Sequence, residues 1–366
     1  MAMPVVFVGA GVPLTAAAAV YNPPTRQRGS AVLNVRNYGA FGDGSHDDTA
    51  AIQKAINSLP STGGTVFIPA GTYLINAVTS IKLRSLMHLK LDPGAKLAAK
   101  ATSSGQYNVV LADVVHDVEI SGGQIVGERD KHLGTEGEGG HGIRIRGSQR
   151  VTIRDIRISK GWGDGITVGP KPNYKARFTY SKDVVVANVV CTQNRRNGLS
   201  IGNVIGMKVY DSEFSYTNGT APQCGIDVEP DRDIDESGYN DQVWIENCVM
   251  RGNNKFGMNV WRRARNLTVT KCQIIENTTL GVMTTGLTGG TFTGNYFGSN
   301  MSVGLAIKTG STNVKVNGNT FFNNYKRQGY IDRADFTQTG VNSKVQKDLQ
   351  VGDGTSNITI GSNTYK

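Results

Sequence analysis

The sequence predicts an all-β protein, a single-stranded right-handed parallel β-helix (solenoid) with an N-terminal capping α-helix. Three observations predict it. A phrase of glycine, apolar, variable and mostly apolar residue recurs along the chain, the repeats alternate with period two, and none of them contains a helical stretch.

The recurring phrases are HGIRIRG, DGITVGP, NGLSIGN, CGIDVEP, FGMNVWR, LGVMTTG and VGLAIKT, with their glycines at Gly142, Gly165, Gly198, Gly225, Gly257, Gly281 and Gly304. The glycines stand 23, 33, 27, 32, 24 and 23 residues apart. Second phrases such as DVVVANVVCTQN and NLTVTKCQIIEN run between them, most ending in Asn. Each unit is too small to bury its own apolar face, and stacking the units buries them all. A propeller would need about 40 residues per blade, which these periods do not supply. The longer units must release loops, mainly 169–182 and 230–241.

Taken in chain order, residues 1–19 read as a signal-like or disordered segment, apolar and small, with an Ala17-x-Ala19 cleavage-like step but no basic opening. The expectation is export, to the periplasm or the medium, with no membrane insertion. Residues 20–31 read as a linker and 32–366 as the β-helix catalytic domain. An open solenoid end exposes a sheet edge. Residues 45–60, SHDDTAAIQKAINSLP, supply a cover, with Asp47 or Asp48 capping a helix whose stripe is Ala51, Ile52, Ala55, Ile56 and Leu59, and Pro60 ending it. GGTVFIPAGTYLI follows as the first strand pair.

Composition narrows the partners. The 366 residues carry a net charge of +10 and 46 glycines, and the pI is about 9.4. Such a surface attracts polyanions. Charge alone does not choose among nucleic acid, anionic lipid and acidic polysaccharide, but with no dense Lys/Arg run and no zinc-finger spacing nucleic acid is the weaker candidate. Cys191, Cys224, Cys248 and Cys272 form no C-x-x-C pair, and three sit in similar repeat phrases, as stacked core residues would.

Residues 35–75, VRNYGAFGDGSHDDTAAIQKAINSLPSTGGTVFIPAGTYLI, closely resemble the opening of the pectate-lyase-like superfamily, which is related to polygalacturonases and includes alginate epimerase modules and phage tailspike depolymerases. The repeats extend the resemblance over about residues 32–365. It implies a polysaccharide-active β-helix and leaves the reaction open among hydrolysis, elimination and epimerisation. It also leaves open a monomer or a homotrimer.

Alternation places a site. If Ile143, Ile166, Leu199, Ile226 and Met258 point inward, the outward column reads Arg144, Thr167, Ser200, Asp227, Asn259, Met283 and Ala306. Two residues along it reads Arg146, Gly169, Gly202, Glu229, Trp261, Thr285 and Lys308. Asp227 and Glu229 open an island of seven carboxylates within residues 221–241. The pre-glycine column, His141, Asp164, Asn197, Cys224 and Phe256, resembles the placement of catalytic carboxylates and the G-H-G histidine in polygalacturonases. Gly140-His141-Gly142 matches that motif, while His141 precedes the Asp coil and the N-T-D, D-D and R-I-K motifs are absent.

The expected catalytic set is therefore Asp227 and Glu229 as a hydrolytic carboxylate pair, helped by Asp164 and His141. The expected substrate-binding set is Arg144, Arg146, Trp162, Lys255, Asn259, Trp261, Arg262 and Arg263, with Trp162 and Trp261 as sugar platforms and Tyr174 and Tyr239 as loop walls. No cofactor is required. In a lyase alternative Asp227, Glu229 and Asp231 hold Ca²⁺ against a uronate while Arg262, Arg263 or Lys255 removes the C5 proton. The plainer alternatives are a solvated loop whose Asp227 bonds amides, and a non-catalytic glycan-binding or tailspike solenoid.

Overall fold

The computed structural model describes residues 21–173, 177–230, 238–325 and 348–366. Among the described residues thirty strands bond into one continuously wound sheet, and Lys171–Asn173 with Arg177–Thr179 form a separate antiparallel pair. Strands in the wound sheet pair in parallel with the equivalent strand of the next coil, as the repeats required. The chain is a right-handed parallel β-helix.

The register matches the glycine phrases. Ile143 pairs with Ile166, Ile166 with Leu199, Leu199 with Ile226, Ile226 with Met258 and Met258 with Val282. These residues are all buried, a continuous apolar column in which each side chain is worth roughly 1.5–3 kcal/mol. The glycines allow close stacking: a Cβ on Gly225 would stand 2.6 Å from the Gly257 carbonyl oxygen. The recurring Asn residues are structural. Asn253, Asn277, Asn300 and Asn324 pass side-chain amide hydrogen bonds from coil to coil at 2.9–3.0 Å, and Asn324 ends on Asp348.

The cap is the helix Thr49–Asn57, with Ile52, Ala55 and Ile56 buried, Leu59 buried just beyond it and Ala51 half-buried. Its N-cap residue is Asp48, which makes no side-chain cap bond, while the preceding Asp47 accepts from the Thr49 N–H through Oδ1 at 3.1 Å. Asp48 instead accepts from the Phe41 and Gly42 amides. The coil begins earlier than GGTVFIPAGTYLI, since Ala31–Asn34 already pairs with Gly64–Ile68. The stretch expected as a linker, residues 20–31, is docked from Tyr21 onward: Tyr21 stacks on Tyr210 at 3.8 Å, Arg26 pairs with Asp183 at 2.7 Å, and Arg28 pairs with Glu119 at 2.7 Å.

All four cysteines are buried and free. No helix among the described residues is long and apolar enough to cross a membrane. The signal-like residues 1–19, Tyr174 and Asp231 lie outside the described residues.

Candidate active site

The coils carry a polar cleft of about 400 Å³ on the face built from Gly139–Arg146, Ile166–Gly169, Leu199–Ile201 and Ile226–Val228. It is lined by His141, Arg144, Asp164, Asp227 and Glu229, and also by Gln106, Glu138, Thr167, Arg196 and Ser200. The outward column is realised residue for residue: Arg144 pairs with Thr167, Thr167 with Ser200, Ser200 with Asp227, and Asp227 with Asn259.

The pre-glycine column works as a ladder of a different kind. His141 Nδ1 accepts the Asp164 backbone N–H at 3.2 Å, Asp164 Oδ1 accepts that of Asn197 at 3.1 Å, and Asn197 Oδ1 accepts that of Cys224 at 2.9 Å. Each side chain thus satisfies an amide of the following coil, where an orphaned donor would be costly. The arrangement also fixes a tautomer. With Nδ1 accepting, a neutral His141 carries its proton on Nε2. Burial pushes the His141 pKa down to about 4, with Arg144 and Arg196 adding to this and Asp164 opposing it, so the ring is neutral at neutral pH.

Asp164 is fully buried. Its Oδ2 accepts from the Thr167 and Ser200 hydroxyls, both at 2.9 Å, and from Arg196 Nη1 at 3.1 Å. The plain reading of Asp164 as an amide acceptor in a turn is therefore part of the picture, and its second oxygen faces the cleft groups.

Asp227 is 2% exposed. Its Oδ1 accepts from Asn259 Nδ2 at 2.9 Å and its Oδ2 from Asn197 Nδ2 at 3.3 Å. Burial pushes its carboxyl up to about 7, with Glu229 and Asp164 raising it further and the Asn259 amide and Arg196 holding it down. A carboxyl at about 7 exchanges a proton readily at neutral pH. Glu229 follows the strand and keeps the ladder, its N–H donating to the Ile201 carbonyl at 3.0 Å.

Several expected contacts lie elsewhere. Arg146 makes a bidentate pair with Asp113, Nε at 2.9 Å and Nη2 at 2.6 Å, and Lys171 joins the same carboxylate. Trp162 cannot offer a sugar an open face. His132 stacks on it at 3.7 Å and the Arg195 guanidinium lies 3.8 Å from its ring centre. Trp261 packs against the small apolar cluster of Cys224, Phe256 and Met283, with Arg262 5.3 Å from its ring centre. Lys255 lies over Phe256. Arg262 and Arg263 both have positive φ, 56° and 47°, and form a bulge where the register shifts. None of Arg146, Trp162, Lys255, Trp261, Arg262 or Arg263 lines the cleft. Tyr239 lies under Arg265, 4.3 Å from ring centre to guanidinium, and beside Tyr180.

The Ca²⁺ alternative fits these groups poorly. Both Asp227 oxygens face amide N–H donors, whereas a cation site presents oxygens. The described residues contain no group of three or more His, Cys, Asp or Glu suited to a metal ion.

Sequence reasoning missed Arg196 and Glu138 as cleft groups. Thr167 and Ser200 stood in the outward column, and their hydroxyls were the available signal. Arg196 stands two residues before Gly198, one step beyond the pre-glycine column.

Residues 32–125 match the family described as Rhamnogalacturonase A/epimerase, pectate lyase-like, and residues 231–365 match the right-handed β-helix region. The uncharacterized protein YclG of Bacillus subtilis is 32% identical over 221 residues, 54% of this chain and 38% of that protein. The chain thus spans well under half the length of that curated relative. Among solved structures, the A-module of the mannuronan C-5 epimerase AlgE6 from Azotobacter vinelandii has a TM-score of 0.57 at 16% identity, covering 90% of this chain and 99% of that one. The Thermotoga maritima exopolygalacturonase has a TM-score of 0.57 at 13% identity, covering 92% and 93%. The Streptococcus pneumoniae surface adhesin PfbA has a TM-score of 0.59 at 19% identity, covering 91% and 78%. At these identities the structures share the fold.

Proposed function

We propose that this pectate-lyase-like right-handed β-helix hydrolyses glycosidic bonds of an acidic, uronate-containing polysaccharide outside the cytoplasm. The observation that carries the reading is Asp227, a buried carboxyl at about 7 in a cleft that Arg144 and Arg196 also line.

In the proposed reaction the protonated Asp227 gives its proton to the leaving glycosidic oxygen as the C1–O bond breaks. Glu229 takes a proton from the water whose oxygen bonds to C1. Outward carboxylates at i and i+2 stand roughly 6.5–7 Å apart along a strand, which lies at the lower end of the range that leaves room for that water and inverts the anomeric centre. The two residues then exchange their protons with solvent. Asp164 acts on Arg196 and Ser200 rather than on the sugar, holding both in place. His141 contributes its Nε2–H as a donor to a sugar oxygen.

A second reading is supported by the two cleft arginines together with the likeness to an epimerase module. Neutralising a uronate carboxylate makes its C5 proton easier to remove, the shared first step of β-elimination and C5 epimerisation. Arg262, Arg263 and Lys255 lie away from the cleft and do not serve as its base.

The test is incubation with polygalacturonate, rhamnogalacturonan and alginate. Hydrolysis gives new reducing ends with no rise near 235 nm, and Asp227→Asn abolishes them. A rise near 235 nm would replace this reading with elimination, and solvent deuterium at C5 without new ends would replace it with epimerisation. Binding with no change in the sugar would make the chain a glycan-binding solenoid.

A further inference from the structure

Arg196 joins both sides of the cleft, and its two ends are held very differently. Nη1 donates to Asp164 Oδ1 and Oδ2 at 3.3 and 3.1 Å and to Ser200 Oγ at 3.4 Å. Because Asp164 is itself buried and held by Thr167, Ser200 and the Asn197 amide, this end of the guanidinium is fixed.

The opposite edge, Nε with Nη2, lacks that support. Nε is enclosed and has no hydrogen-bond partner. Glu138 Oε2 stands 3.3 Å from it, close enough for an ion pair but off the line of the N–H bond. No hydrogen bond from Nη2 is found among the described residues. An Nε–Nη2 edge presents two parallel N–H donors, the geometry that receives one carboxylate bidentately. Glu138 fills half of that demand. Its side chain is 59% exposed, and it lies just ahead of the strand Gly139–Arg146 on the rim of the same cleft.

We propose that the Nε–Nη2 edge of Arg196 is the receptor for a substrate carboxylate, and that Glu138 occupies it in the empty cleft and is displaced when an acidic sugar binds. The inference rests on the reading of the cleft as an acidic-polysaccharide site and adds how that acidity is recognised. An exposed ion pair is cheap to break, so an incoming carboxylate with the better bidentate geometry replaces Glu138 at small cost. A neutral sugar offers no charge in exchange and leaves Glu138 in its way. The device thus discriminates against neutral chains as well as selecting acidic ones.

The experiment is calorimetric titration of the full chain with hexamers of galacturonate and of mannuronate, and with the carboxyl-reduced form of each. Wild type is expected to bind at least one charged hexamer and to bind its reduced form about tenfold or more weakly, the worth of a charge-assisted bidentate pair. Arg196→Gln should lose the charged hexamer by a similar factor. Glu138→Gln, which keeps the side chain's shape, should bind the charged hexamer about two- to fivefold tighter, as expected for release of an exposed ion pair.

The proposal is overturned if Glu138→Gln binds the charged hexamer no more tightly than wild type. It is equally overturned if charged and reduced hexamers bind alike, or if neither charged hexamer binds. Reducing ends and 235 nm absorbance read in the same samples separate the two claims. Carboxyl-dependent binding with an unaltered sugar would sink the hydrolytic reading and keep the receptor, whereas cleavage indifferent to the carboxyl would do the reverse.

Discussion

Replacing Asp227 by Asn should stabilise the protein, and more so at pH 8 than at pH 5. Folding raises this carboxyl from its ordinary 3.8 to about 7, so between those values the folded state holds a proton that the unfolded state has released. Stability linked to the group is complete below pH 3.8 and is lost as pH rises through about 7. Three pKa units correspond to roughly 4 kcal/mol by pH 8, and roughly a third of that has been lost by pH 5. Asn mimics the neutral acid, with NH2 in the place of the protonated oxygen. Oδ2 is the oxygen to be replaced, because its contact with Asn197 is the longer, at 3.3 Å against 2.9 Å for Oδ1 and Asn259; the NH2 cannot accept from Asn197, a loss of about 1 kcal/mol that is the same at both pH values and cancels in their comparison. A stack of repeats need not unfold in one step, so the quantity to read is the difference between variant and wild type in urea midpoint at the two pH values. A gain no larger at pH 8 than at pH 5 would show that Asp227 folds as an ordinary ionised carboxylate, and the argument for it as an acid would fail with it.

The same electrostatics predict opposite movements of the Asp227 pKa. Asn259→Ala removes the amide that favours the ionised form and should raise it by about one unit, while Glu229→Gln removes a neighbouring negative charge and should lower it by up to about one unit; both are read from the pH dependence of the urea midpoint, since Glu229→Gln lacks the proposed base and gives no rate profile, and two shifts of the same sign would contradict the assignment. His141, whose folded pKa is lowered to about 4, contributes stability that is present above pH 6.5 and is lost as pH falls towards 4. His141→Gln should therefore lose less stability than wild type between pH 7 and pH 4, by up to roughly 3 kcal/mol, measured by urea denaturation at both values. Arg146→Ala gives up a partly exposed bidentate pair with Asp113, which should cost about 1 kcal/mol or less and leave KM unchanged; a large rise in KM would return Arg146 to the substrate-binding set.

Legibility followed the regular parts of the coil. The glycine phrases fixed the stacking register, and strict alternation then placed Arg144, Asp227 and Asn259 in one column. The strand register held as far as Trp261, although that ring packs on Cys224, Phe256 and Met283 rather than on the cleft, and it shifted immediately afterwards. Arg262 and Arg263 adopt consecutive positive φ values, and such a bulge re-aims the side chains that follow it. Trp162 was unreadable for another reason. Its partner His132 comes from the segment between Val126 and Gly139, outside the repeat phrases, and Arg195 from the next coil, so neither contact has a periodic signature. Arg146 looked like a groove cation because its partner Asp113 belongs to the preceding coil, ahead of the first glycine phrase.

What separates the two buried aspartates is the change of character in the pre-glycine column. From His141 through Asp164 to Asn197 the column is polar, and every member satisfies an amide of the coil beyond it. At the coil of Asp227 it turns apolar, with Cys224 and then Phe256, which cluster with Met283, Trp261 and Leu280. Asp164 stands in the polar stretch, where a guanidinium, two hydroxyls and an amide all donate to it. Asp227 stands at the boundary, offered two amide donors and only the weaker pull of Arg196, and burial there disfavours charge. Two carboxyl groups in one cleft are thereby given unlike environments, which is how one fold obtains an anchor and an acid from the same residue type. The inward apolar column is continuous across this boundary, from Ile143 to Val282. Substitutions confined to the outward and pre-glycine columns can therefore re-tune the chemistry while the stacking that holds the coil together is left alone.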